Sequence, residues 1–220
     1  MTSSTNRIER PGAQQWVPDG ADIGALRAAA PQCRGCELWE PATQVVFSAG
    51  NPSARIALVG EQPGDVEDRR GLPFVGPAGR LLQGALDEAG VTREDVYVTN
   101  AVKHFRFTER GKRRLHQTPE MAHITACRPW LVAELRDVDP ELVVLLGATA
   151  AKSLLGADFR VTRHRGELIE KETSRGTRLF LPTVHPSSVL RAPQDQQEEA
   201  RQALVADLRV GATHIAGTAA

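Results

Sequence analysis

The chain has 220 residues, 41% of them hydrophobic and 25% charged, with 27 Lys plus Arg against 27 Asp plus Glu. That length is enough to bury one substantial α/β core and leaves two full domains cramped, while the balanced charge excludes a global field that would draw the protein to nucleic acid. No apolar run is long enough to span a bilayer and no signal-peptide pattern opens the chain, so a cytoplasmic protein without membrane attachment is expected.

Residues 1–20 are polar and broken by Pro11, Gly12 and Pro18, which predicts a flexible N-terminal tail. A single domain is expected over 21–210, with a flexible C-terminal tail over 211–220. Asp22 is placed to cap a short helix through Ala30. Cys33-Arg34-Gly35-Cys36 follows, and a lone CxxC has three readings: a redox pair, a corner of a metal site, or coincidence. A redox pair should begin a helix after a strand, whereas Pro31 and Gly35 put this pair in a loop. Cys127, inside an apolar run, reads by itself as a buried structural thiol. The odd number of cysteines argues against a disulfide framework and for thiols used as ligands.

The run Arg55–Val59 has the length of a buried strand. The loop from Gly60 to Leu82 is crowded with glycine and proline, so no regular element is expected in most of it. It carries Glu61, Gln62, Asp65 and Phe74, side chains suited to acid–base chemistry, amide recognition and stacking. Its length points to function rather than a plain connection. A helix is predicted from Pro77 to Ala89, a strand over Val96–Asn100, and a helix from Pro119 to Arg136. A strand over Leu142–Leu146, a helix from Ala148 to Leu155, a strand over Leu179–Val184 and a helix from Gln194 to Val210 complete the pattern. Strands separated by helices and lacking a polar face mean a parallel sheet covered on both sides.

Ligands of such sheets bind beyond the carboxyl ends of the strands. Here those ends carry Gly60-Glu61-Gln62, Asn100, Gly147-Ala148-Thr149 and His185-Pro186-Ser187-Ser188. Carboxylate, amide, hydroxyl and imidazole groups therefore meet on one rim. Gly147 to Ser153 has the look of a nucleotide-phosphate loop, but Ala151 and Leu146 stand where that pattern needs glycines. The segment Lys103–His116 is the one concentrated basic patch. Phe105 and Phe107 are interleaved with Lys103, Arg106, Arg110, Lys112, Arg113 and Arg114, a mixture suited to phosphates and stacked bases, or to a solvated loop. His116 follows two arginines, and neighbouring cations favour a neutral imidazole with a free lone pair.

Together GEQPGD at 60–65, LPFVGPAG at 72–79, TNAVKH at 99–104, KRRLH at 112–116 and HPSS at 185–188 resemble the iron–sulfur uracil-DNA glycosylases of family 4. Within that family, KRRLH resembles the UdgX-type subgroup, which bonds covalently to its DNA product. The resemblance runs from about Cys33 to Arg209. It implies a three-layer α/β/α sandwich with a four-stranded parallel sheet, and a [4Fe–4S] cluster held by Cys33, Cys36 and Cys127, with His104 where the family has a further cysteine. Imidazole can replace thiolate at iron, and the same four residues also suit zinc.

By the same resemblance, Asn100 reads the uracil edge, Phe74 stacks on the ring, and His185 hydrogen-bonds a uracil carbonyl. Glu61 supports the sugar cation, Gln62 and Asp65 complete the pocket, and His116 captures the sugar. Lys112, Arg113, Arg114, Ser187 and Ser188 are the expected DNA contacts. The partner implied is uracil-containing DNA, preferably single-stranded, bound by a monomer. The alternatives are a conventional glycosylase that turns over, and a metal-containing nucleic-acid-binding protein without chemistry.

Overall fold

The structure, a computed structural model, describes residues 10–218. Its centre is made by the segments without a polar face. Strand β1 (Ser48–Gly50) precedes β2 (Ile56–Gly60), which is buried along its whole length. Helix α1 (Ile23–Ala29) lies before them, and Asp22 caps it by accepting the Ala25 N–H at 2.7 Å. Helices α2 (Asp65–Arg70) and α3 (Pro77–Ala89) lead to β3 (Val96–Asn100). Pro77 starts α3 at a position where no N–H is needed, and Gly90 ends it in the left-handed conformation. A hairpin of β4 (Phe107–Arg110) and β5 (Arg113–His116) precedes α4 (Met121–Val138).

The chain continues through β6 (Leu142–Leu146), α5 (Ala148–Leu155), α6 (Val161–His164), β7 (Ile169–Thr173) and β8 (Gly176–Thr183). It ends in α7 (Pro186–Arg191) and α8 (Gln197–Gly217).

The main sheet has the order β1-β3-β2-β6-β8-β7. The four inner strands are parallel, as expected, and β1 and β7 add antiparallel edges that the sequence reading did not anticipate. Leu58 and Val144 pack with Leu82 and Leu204 on the face covered by α3 and α8. Val59, Val143 and Leu145 pack on the opposite face with Leu131 of α4 and Ala150 of α5. Because β2 feeds a helix on one face and β6 a helix on the other, their carboxyl ends open a crevice.

Three expectations need correction. Residues 10–17 are packed rather than free: Ala13 is buried, its N–H donates to the Ala126 carbonyl at 2.8 Å, Trp16 and Val17 pack on the core, and Arg10 pairs with Glu37 at 2.5 Å. The remainder of the expected N-terminal tail, residues 1–9, lies outside the described residues. At the other end α8 continues to Gly217 with Ile215 buried, so the ordered domain passes the expected boundary at 210. The glycine-rich loop also holds a short helix, α2, ended by Gly71 at φ 72°.

Lys103, expected in the basic patch, is instead 1% exposed. Its Nζ donates to Glu134 Oε2 at 2.5 Å, to Thr99 Oγ1 at 2.6 Å and to the Asn100 carbonyl at 2.9 Å. Glu134 is fully buried and also accepts the Tyr97 hydroxyl at 3.1 Å. Removing one partner of such a pair leaves a buried charge unsatisfied. Glu134→Ala is therefore expected to lower unfolding free energy by about 3–5 kcal/mol in denaturant titration, and Lys103→Met combined with Glu134→Leu to recover most of it. A loss below about 1 kcal/mol in the single variant would show the pair to be structurally idle.

Candidate active site

A cleft of about 540 Å³ lies at the carboxyl ends of the inner strands, and Glu61, Gln62, Phe74, Asn100, His116, His185 and Ser187 all line it. Each is delivered by a different device. Backbone pairing continues past β2, with Ala101 N–H on the Gly60 carbonyl and Val102 N–H on that of Glu61, so Glu61 is fixed at the strand end. Phe74 adopts φ 55°, an uncommon conformation for a residue with a side chain, and its carbonyl sits against Gly79 of α3. A Cβ at Gly79 would lie 1.8 Å from that oxygen, so the glycine is what lets the loop close. The Phe74 and His185 rings are 6.2 Å apart and tilted by 30°. Asn100 Oδ1 is buried and has no partner among the described residues, a polar atom held ready at the cleft.

His185 caps α7. The Ser187 backbone N–H donates to its Nδ1 at 3.1 Å, and the Ser187 hydroxyl lies 2.8 Å from the same atom. A backbone N–H can only donate, so Nδ1 is the acceptor and the ring proton belongs on Nε2. Arg191 Nη1 donates to the Ser187 Oγ at 3.0 Å and steadies the arrangement. Burial drives the His185 pKa down to about 4, against the pull of Glu61, so the ring is a neutral Nε2–H donor at physiological pH.

Glu61 is held at both oxygens. Thr149 donates its hydroxyl to Oε2 at 2.5 Å, and His116 Nε2 lies 3.2 Å from Oε1. Burial alone would raise the carboxyl, but these two hydrogen bonds and the nearby imidazoles bring it below the ordinary carboxylate range. The cleft thus combines an anionic carboxylate, a neutral donor and an exposed imidazole.

Several residues stand elsewhere than the sequence implied. Asp65 does not line the cleft; it pairs with Arg69 at 3.0 Å and with Arg114 at 2.5 Å. Arg114 also binds Asp68 at 2.7 Å and lies over the Phe107 ring, so it fastens the hairpin to α2 and is not free for phosphate. Both carboxylates come from α2, the short helix inside the glycine-rich loop. The group that His116 contacts is therefore Glu61, while the adjacent Arg114 is neutralised by its two aspartates. Phe105 is buried beneath Phe107, and Lys112 and Arg113 remain exposed at the hairpin.

Gln62 lines the cleft, but its amide accepts from the Arg106 N–H and donates to the Arg106 and Gln117 carbonyls, fixing the base of the hairpin. Ser188 is exposed and gives its hydroxyl to the His185 carbonyl at 2.7 Å. Thr149, Glu67 and Arg191 were not picked out as site residues. Thr149 alone had a visible signal, its place just after a parallel strand. Glu67 accepts the Gly76 N–H at 2.6 Å across the loop, a contact without a spacing signature.

Cys33, Cys36, His104 and Cys127 come together at a second, small cavity with Trp130 and Lys103 on its wall. The Lys103 N–H donates to Cys127 Sγ and the Trp130 indole N–H to Cys33 Sγ, each at 3.3 Å. Burial pushes Cys36 up to about 11 and Cys127 up to about 12, and lowers His104 to about 4, leaving a neutral imidazole. Among the described residues no three His, Cys, Asp or Glu side chains close on a point that one metal ion would occupy. Three thiols and an imidazole form a donor set that both an iron–sulfur cluster and a zinc ion accept.

A parallel α/β sheet with carboxylate, amide and imidazole groups converging at its carboxyl edge is the setting of an enzyme cleft. The model of the uracil DNA glycosylase superfamily matches residues 47–209, and the chain belongs to that superfamily. It is 37% identical over 178 residues to a Type-4 uracil-DNA glycosylase of Thermotoga maritima, covering 80% of this chain and 86% of the relative. It is 37% identical over 170 residues to the Type-4 enzyme of Archaeoglobus fulgidus, with 76% and 82% covered. It is 36% identical over 166 residues to that of Sulfurisphaera tokodaii, with 73% and 72% covered. The enzyme class implied by the motifs, a uracil-DNA glycosylase, therefore stands.

A constraint that bears on two cleft side chains at once is at Gly60, where an added Cβ would meet Asn100 Oδ1 at 2.3 Å and Phe74 Cζ at 2.6 Å. Gly60→Ala is expected to displace both and to lower kcat/KM for uracil release by about 10²-fold, with the fold retained by circular dichroism. Unchanged kinetics would mean that neither side chain is held where recognition requires it.

Proposed function

We propose that the protein draws uracil out of DNA into this cleft, breaks its N-glycosidic bond, and then bonds the released sugar to His116. A base must leave the stack to be reached, and a single strand offers it without unpairing. The bond between the sugar C1′ and uracil N1 breaks with its electron pair leaving on the base. His185, a neutral donor through Nε2, is suited to the charge that develops on a uracil carbonyl. Asn100 reads the base edge and Phe74 faces the ring. Glu61, anionic and held by Thr149, stabilises the cationic sugar from its other side.

His116 is half-exposed, with Nε2 3.2 Å from Glu61, and that contact carries the covalent part of the reading. With Nε2–H facing the Glu61 carboxylate, the other ring nitrogen carries the lone pair that attacks C1′; as that bond forms the Nε2 proton passes to Glu61, and the product is a neutral N-substituted imidazole. In the conventional outcome Glu61 takes a proton from water instead, and the sugar leaves as a hydroxyl product. Arg110, Lys112 and Arg113 are the exposed hairpin cations left to meet DNA phosphates. We read the Cys33, Cys36, His104 and Cys127 set as the holder of a [4Fe–4S] cluster, supported by buried donors and N–H···S bonds on two of the thiols. The cluster would tie the N-terminal loop to α4 and supplies no step of the reaction.

Mixed with uracil DNA, the protein should give a complex that survives SDS and heat, and His116→Ser should abolish it while still releasing uracil. His185→Ala should instead slow release itself, by about 10²–10³-fold. Repeated turnover by the unaltered protein without any cross-link would establish the water-captured reaction in place of the covalent one.

A further inference from the structure

A second groove, of about 290 Å³, shares no residue with the uracil cleft. It lies toward the amino ends of β6 and β8, between the later turns of α4, the end of α5 and the β7–β8 hairpin. Its floor is apolar: Leu135 and Leu154 are half-buried and Val132 is 42% exposed at the edge, while Val143 and Phe180 lie beneath them as buried core. Arg128, Arg136, Lys171 and Arg175 surround that floor, and none of them is ion-paired with a carboxylate among the described residues. Among the described residues, Arg128 and Lys171 donate only to the backbone carbonyls of Ser153 and Leu154. A fifth cation, Arg178, pairs with Asp139 at 2.6 Å, yet its Nε is buried without a partner. The only other acid of the groove, Glu172, accepts the Thr177 hydroxyl. In a chain of zero net charge this is a marked local excess of cations over an apolar strip.

We propose that this groove docks an acidic peptide segment of a partner protein, its apolar side chains on the floor and its carboxylates on the surrounding cations. The combination of an open apolar strip with unpaired guanidinium groups matches that chemistry at both levels. Single-stranded nucleic acid fits less well, because base stacking needs an exposed ring and the only aromatic lining residue, Phe180, is 4% exposed. A small inorganic anion would leave the floor uncovered. The groove sits away from the cleft, so the partner would hold the enzyme without obstructing DNA.

The test is fluorescence anisotropy with the full chain and three labelled probes. One is a short peptide alternating aspartate with leucine and phenylalanine, one has serine in place of its apolar residues, and one is an oligothymidylate without uracil. The apolar acidic peptide should bind, the serine peptide should bind at least about tenfold more weakly, and the oligothymidylate should not displace the first. Arg136→Glu with Arg175→Glu, and separately Val132→Asp, should each weaken the first peptide at least about tenfold and leave uracil release unchanged. Equal binding of the serine peptide, no effect of either variant, or displacement by oligothymidylate would overturn the assignment. So would the absence of any binding at low salt.

Discussion

The buried ammonium of Lys103 is the point on which the two sites of this protein depend. Its Nζ is bonded to Glu134, to Thr99 and to the carbonyl of Asn100, and its own N–H reaches Cys127. One residue therefore connects the end of β3, the interior of α4 and the wall of the cysteine cavity. The next residue along is His104, a member of the cysteine set, and three residues back is Asn100 in the cleft. Such a charge is tolerated in the interior only because its partners are all in place. Lys103 therefore links the backbone of Asn100, at the cleft, to the wall of the cysteine cavity.

The cleft itself is built on opposed electrostatic environments. Glu61 and His185 are both substantially buried, and burial acts on each in the direction of the neutral form. His185 yields to it and stays neutral, because its Nδ1 is already satisfied by a backbone N–H that asks for no charge. Glu61 resists it, because Thr149 and His116 stabilise the anion. The result is a neutral donor and an anion lining one cleft. Pairs of titratable groups pushed apart in this way are the mark of acid–base assignments.

Much of this was legible in the chain. The four inner strands are apolar without alternation, so their parallel pairing and the location of a rim followed from pattern alone. Glu61, Asn100, Thr149 and His185 sit at strand ends and could be placed from that. The edges β1 and β7 were not legible, since one is three residues long and the other is mostly exposed. The charge patch misled more seriously. Lys103 and Arg114 look alike in sequence to Lys112 and Arg113, but their partners lie 31 and 46–49 residues away, on α4 and α2. Spacing along the chain carries no trace of such partners, and so a run of cations could not be divided into those that hold the fold and those left for a ligand. Asp65 was expected in the pocket from the family resemblance, which carries no sign of its pairing with Arg69 and Arg114.

The central claim is that the leaving base meets a neutral histidine with its proton on Nε2. Nitrogen-15 NMR of the His185 ring across a pH titration tests it most directly. The account predicts the neutral Nε2–H tautomer, with no titration from about pH 8 down to about pH 5, because the folded-state pKa is lowered to about 4. A ring that protonates with a midpoint near the ordinary value of about 6.5, or one that carries its proton on Nδ1, would contradict it.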